Sequence, residues 1–298
     1  MSTRGKIDIH VHASLERLET GRKNSRNPMD SYIADPEEVR IHLEKQGITH
    51  AVLMSSGEHF ENPELGTDNA DCEAIAENPF YSWMCNFAEY STEPIYDRMV
   101  ACKAAGAVGV GELTVNKWLD NAFFHELFSA AESLALPVLF HMSPAPGFSY
   151  GVCDHPGLPL LEETLQTYPS LKVIGHSQMF WLEISADAPT GSREERVRMG
   201  RGPVREGGRL PYLFQTYPNL YGDLSAYSGS CAILRDEAFG LRFLEQYADR
   251  LFFGTDTLNQ HQTFPLGKFL DIAVEEGSLS QKAYDSICFR NAELVFEL

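Results

Sequence analysis

The chain alternates short apolar runs with longer amphipathic ones. In Ile7-Asp8-Ile9-His10-Val11-His12 the alternation has the period of two of a strand, so Ile7, Ile9 and Val11 share one face and His10 and His12 the other. Ala51 to Met54, Tyr81 to Phe87, Val108 to Val115, Pro137 to His141, Leu171 to His176, Leu220 to Ser225 and Leu251 to Asp256 read as seven further strands. Between and after them, helical spacing predicts helices opening at Asp35-Pro36 and closing at Gly47, then over Asn69 to Glu77, Glu93 to Ala105, Asn121 to Leu134, Leu160 to Thr167, Leu210 to Thr216, Asp236 to Tyr247, Leu266 to Glu276 and Gln281 to Phe296. At Asp35-Pro36-Glu37-Glu38 the start signal is complete: an N-cap, a proline at the first helical position and two acids in the first turn.

Eight strands, each followed by helical sequence at intervals of roughly 30 to 45 residues, match the repeat of an α/β fold of the (β/α)8 TIM-barrel type. Such barrels run to about 250 residues plus insertions, so all 298 residues fit one domain, 1–298, with long loops after strands one and six.

Composition narrows the function more than the fold. A formal net charge of −18 repels polyanions, which argues against nucleic acid and anionic membrane surfaces as partners. Neither a leader with an apolar core nor a run of 18 or so apolar residues is visible, and a cytoplasmic protein is expected. The six cysteines are scattered without a CxxC pair and read as reduced thiols rather than a metal site. Assembly into a homo-oligomer is left open.

In a barrel of this kind the active site forms at the C-terminal ends of the strands. His10 and His12 end strand one, Glu112 lies late in strand four, His141 ends strand five, His176 ends strand six and Asp256 ends strand eight. Closure brings them to one centre although they are more than two hundred positions apart. Stability gives no reason to gather four histidines and two carboxylates at one rim, since each needs a partner when buried; a metal ion supplies one.

The motifs Asp8-Ile9-His10-Val11-His12, Phe140-His141, Gly175-His176-Ser177 and Phe253-Gly254-Thr255-Asp256, with the ending Asn291-Ala292-Glu293-Leu294-Val295-Phe296, resemble the amidohydrolase superfamily, in the amidohydrolase-related branch of hydrolases and non-oxidative decarboxylases. The resemblance implies that His10, His12, His141 and Asp256 bind a divalent metal, and that His176 is either a ligand of a second ion or a catalytic acid. It departs at Gly111-Glu112-Leu113, where many two-metal members carry a carboxylated lysine; a glutamate there is similar to metal-dependent DNases of the TatD type. Glu112 is then either a bridging ligand or an acid holding a histidine N–H. Mixed imidazole and carboxylate ligation favours zinc, with manganese, iron or nickel as alternatives, in one or two ions.

Two loops carry ten of the chain's 24 basic residues: Arg17, Arg22, Lys23 and Arg26 between Ala13 and Ala34, and Arg193, Arg196, Arg198, Arg201, Arg205 and Arg209 between Gln178 and Arg209. In an acidic chain this reads as a collector for a small anionic substrate, with Arg201 and Arg205 as binding residues and Trp181 and Phe180 closing over the ligand; a solvated lid or a subunit contact is the alternative. Asp223 either supports the metal site or caps the following turn. His42, His50 and His125 read as packing or surface histidines. Gly175-His176-Ser177-Gln178-Met179 lacks the second glycine of a nucleophile elbow, and no dinucleotide fingerprint follows the first strand.

These residues predict a metal-dependent hydrolase of an amide, lactone or ester, with Asp256 shuttling the proton and His176 as the second catalytic group. The competing readings are a one-metal decarboxylase, a TatD-like nuclease, and an inactive barrel used for binding.

Overall fold

The computed structural model describes residues 5–19, 32–58, 67–89 and 91–298. Eight parallel strands form the barrel: β1 (Lys6–Val11), β2 (Ile48–Met54), β3 (Tyr81–Cys85), β4 (Gly109–Leu113), β5 (Val138–Ser143), β6 (Val173–His176), β7 (Leu220–Asp223) and β8 (Leu251–Phe252). They pair in chain order from β1 to β8. Closure runs through the chain just past β8: Ile9 N donates to Phe253 O at 3.2 Å, Asp256 N to His10 O at 2.7 Å and His12 N to Thr257 O at 2.9 Å.

The apolar runs are strands because both of their faces are covered, one by the barrel interior and one by the helices. All of β1, β4, β5 and β6 is buried. The surrounding helices are α1 (Pro36–Glu44), α2 (Asn69–Ile75), α3 (Ile95–Ala104), α4 (Ala122–Ser133), α5 (Pro159–Thr167), α6 (Gln178–Leu182), α7 (Arg209–Thr216), α8 (Ala226–Leu234), α9 (Glu237–Gln246), α10 (Leu266–Glu275), α11 (Gln281–Asp285) and α12 (Asn291–Phe296). Each sends an apolar stripe inward, among them Val39 and Leu43, Phe124 and Phe128, Leu213 and Phe214, and Phe243 and Leu244, all buried. The expected cap at Asp35 forms, accepting from Glu38 N at 2.9 Å, and Asn121 also caps its helix, accepting from Phe123 N at 3.0 Å.

Three local expectations change. Strand eight stops at Phe252 instead of Asp256, because Phe253 N turns away to Ile287 O and Asp256 takes a left-handed φ of 58°. The last predicted helix is broken by a π-helical turn at Ser286–Arg290. Helices α6 and α8 carry no clear signal in sequence. Among the described residues no helix is long and apolar enough to cross a membrane, and the six cysteines form no disulfide. Arg22, Lys23 and Arg26 lie outside the described residues.

Candidate metal centre

The strand ends deliver their polar side chains to one point. His10 lies near the end of β1 with its ring fully buried, and among the described residues its Nε2 has no hydrogen-bond partner. Around that atom stand Asp256 Oδ1 at 3.5 Å and Glu112 Oε2 at 3.8 Å. His12 Nε2 lies 3.2 Å from Asp256 Oδ1 and 4.0 Å from Glu112 Oε2. On the other side, His141 Nδ1 is 3.0 Å from Glu112 Oε1, and His176 Nε2 is 4.0 Å from Glu112 Oε1 and 3.7 Å from Asp256 Oδ2. All six residues singled out at the strand ends therefore meet.

Most of these separations are too long for hydrogen bonds, but ligands each about 2.0–2.1 Å from a shared ion stand roughly 3 to 4 Å apart. A buried imidazole nitrogen without a partner, facing two carboxylates, is the arrangement a cation completes. The electrostatics agree. Burial opposes charge on His10, yet Asp256, Asp223 and Glu112 together raise its pKa to about 10, a measure of how strongly the cluster draws positive charge. Burial likewise opposes charge on Glu112 and Asp256. The hydrogen bond from His141 and the neighbouring imidazoles nonetheless hold Glu112 well below the usual carboxylate range, and His10, His12 and His176 hold Asp256 below its ordinary value. The residues present fit a divalent ion.

Behind the ligands is a supporting layer that sequence reasoning only half identified. Asp223, at the end of β7, is fully buried, and its Oδ2 accepts from His10 Nδ1 at 2.7 Å, from His176 Nδ1 at 3.1 Å and from Ser225 Oγ at 2.7 Å. Its Oδ1 accepts from Ser225 N at 2.9 Å, so supporting the site and capping the turn are both its work. Asp8 does the same for the backbone, its Oδ1 accepting from His10 N at 3.1 Å and Thr255 N at 2.9 Å and its Oδ2 from Thr255 Oγ1 at 2.6 Å. Burial outweighs these bonds and pushes Asp8 up to about 7. Gly254 lets this layer close, since a Cβ there would lie 2.9 Å from Asp223 Oδ1. Asn86 was not anticipated either; its side-chain amide donates to Glu112 O at 2.7 Å and Ser55 O at 3.0 Å, fixing the end of β4.

The four residues expected to bind or cover the substrate are not at this centre. Trp181 is buried, donates from its indole to Asp223 O at 2.8 Å and packs behind Gly222 of β7, so it forms wall and not cover. Phe180 is buried against Gly175. Arg205 is exposed and pairs with Asp187 at 3.2 Å, and Arg201 lines a surface cavity that none of the six clustered residues borders. Sequence gave the loop's charge but not the direction in which it folds. The helix histidines pack as expected: His42 Nε2 lies 2.7 Å from Gln262 O, His50 Nε2 3.0 Å from Ser82 Oγ and His125 Nδ1 3.0 Å from Tyr168 OH.

Known proteins share this fold. A model of the amidohydrolase family matches residues 7–298. No curated protein matches the chain. Among solved structures, a probable 2-pyrone-4,6-dicarboxylic acid hydrolase from Acinetobacter baumannii, with citric acid bound, superposes with a TM-score of 0.60 at 17% identity, covering 99% of this chain and 100% of that one. A 2,6-dihydroxybenzoate decarboxylase from Rhizobium gives 0.61 at 15% identity, covering 99% of each chain. An amidohydrolase from Burkholderia multivorans with bound HEPES gives 0.59 at 13%, covering 98% of this chain and 99% of the other.

Proposed function

The chain belongs to the amidohydrolase family, and from that premise we propose that it is a metal-dependent hydrolase of a small anionic molecule, cleaving an amide, lactone or ester bond at the C-terminal face of the barrel. The observation that carries this reading is the position of Glu112, which belongs to two groups of prospective ligands at once: one with His10 and His12, the other with His141 and His176. A carboxylate between two imidazole sets suits a hydrolytic centre of two ions.

His10, His12, Glu112, His141, His176 and Asp256 would hold the metal, with zinc the best match to imidazole and carboxylate and manganese, iron or nickel the alternatives. A bound divalent ion lowers the pKa of water from about 15.7 towards roughly 7 and polarises a carbonyl. The protein's own part is orientation and proton transfer. Asp223 and Ser225 engage the Nδ1 sides of His10 and His176, which turns both Nε2 lone pairs to the centre. Asp256, kept ionised by the surrounding imidazoles, accepts a proton from the attacking water and returns it to the leaving group, a role worth about 10²- to 10⁴-fold.

A second reading, a one-metal decarboxylase with His176 handling the proton at carbon, is favoured by the anchoring of His176 Nδ1 to Ser225 Oγ at 3.0 Å and Asp223 at 3.1 Å. Incubation of metal-loaded protein in ¹⁸O-labelled water with cyclic lactones, esters, amides and hydroxybenzoates separates the two. Hydrolysis puts one labelled oxygen into the product acid. Carbon dioxide release with no label in the organic product would replace the hydrolase reading with the decarboxylase.

A further inference from the structure

Two arginines of the segment between β6 and α7 line a cavity away from the metal centre. Arg198 and Arg201 line a recess of about 230 Å³ with Asp187, Glu195 and Arg235. Arg235 reaches it from the C-terminal cap of α8 and is the unusual member. Its Nε and Nη2 are shut off from solvent, and among the described residues neither has a hydrogen-bond acceptor. Gly200 makes room for this guanidinium, since a Cβ there would lie 2.2 Å from Nη1.

A guanidinium is always charged, so buried N–H groups without an acceptor leave a strong demand for an anion. Its neighbours do not meet that demand. Asp187 is already engaged by Ser185 Oγ at 2.6 Å and Arg205 Nε at 3.2 Å. Arg196 shows the contrast within the same segment: buried, it donates from Nη2 to Asp154 O at 3.1 Å and serves packing. Three guanidinium groups thus face two carboxylates, one of them occupied, in a chain whose net charge is −18. The planar fork of Arg235 matches the paired oxygens of a carboxylate or a phosphate.

We propose that this recess binds a small oxyanion, with Arg198 and Arg201 at its rim and the Arg235 guanidinium turning outward to meet its carboxylate or phosphate group, at a site separate from the metal centre. It does not depend on the hydrolase reading. An occupant there lies at the far end of α8, the helix whose N-cap, Ser225, holds Asp223 and His176.

Calorimetric titration of the full-length protein at low salt, with inorganic phosphate in one arm and malonate in the other, tests this. Saturable binding of one probe per chain is expected. Preference for phosphate identifies a phosphoryl ligand, and preference for malonate a carboxylate. Arg235→Met should weaken the preferred probe roughly tenfold or more, as should the exposed pair Arg198→Gln with Arg201→Gln, which leaves the interior untouched. His12→Ala should leave binding unchanged. The proposal is overturned if neither probe binds by about 10 mM, if the Arg198→Gln/Arg201→Gln protein binds like the parent, or if His12→Ala abolishes binding and so moves the anion to the metal cluster.

Discussion

One oxygen of Asp223 serves two imidazoles: Oδ2 lies 2.7 Å from His10 Nδ1 and 3.1 Å from His176 Nδ1. A carboxylate only accepts, so both rings are oriented with Nε2 inward, although they lie far apart in the sequence. Carboxylates that fix ligand histidines in this way typically contribute 10- to 100-fold in metal affinity. Asp223→Ala should therefore weaken zinc binding by roughly that factor, measured by competition against a chromophoric chelator. Affinity equal to that of the parent would mean that Asp223 only caps its turn.

His12 makes a simpler case, because it follows β1 directly and its Nε2 faces Asp256 and Glu112. His12→Ala should purify with clearly less metal per chain by elemental analysis, with its circular dichroism retained. Undiminished metal would place the ion elsewhere.

Gly229 on α8 tests how tightly that helix is seated. A Cβ there would lie 2.3 Å from the carbonyl of Leu224, next to the end of β7. Alanine gains about 1 kcal/mol in helix propensity, but overpacking against backbone costs about 1–3 kcal/mol. Gly229→Ala should lower Tm by a few degrees; a rise would show that α8 can shift freely.

Asp154 carries a pH signature away from the metal centre. Its carboxylate accepts from His155 N, Leu160 N and Leu161 N, yet burial pushes its pKa up to about 6. A raised carboxylate binds more protons folded than unfolded, so its contribution to stability is full below about pH 4 and is lost as pH rises through about 6. The Tm difference between the parent and Asp154→Asn should accordingly shrink from pH 4 to pH 7. A difference that grows over this range would contradict the assignment.

Much of this was legible in sequence, for identifiable reasons. A buried parallel strand writes an apolar run, and polar residues at its end stand out against it, which is why His10, His12, Glu112, His141, His176 and Asp256 could be picked before their meeting was seen. Helix α8 could not be read, because Ala226-Tyr227-Ser228-Gly229-Ser230 has poor helix propensity and is held helical by packing beneath it. Asp223 looked equally like a cap because it also is one. Trp181 failed as a substrate cover for a related reason: an aromatic in a loop segment announces burial, not its direction, and here its indole is spent on Asp223 O.

An ion held by all these strand ends would have Glu112 among its ligands. An anomalous-difference map from crystals of metal-loaded protein tests that directly. It should show one or two peaks within coordination distance of His10, His12, Asp256 and Glu112, with His176 also in contact. A single fully occupied ion touching His10, His12, His141 and Asp256, with Glu112 more than a hydrogen bond away and His176 unligated, would contradict the bridging centre and favour decarboxylation.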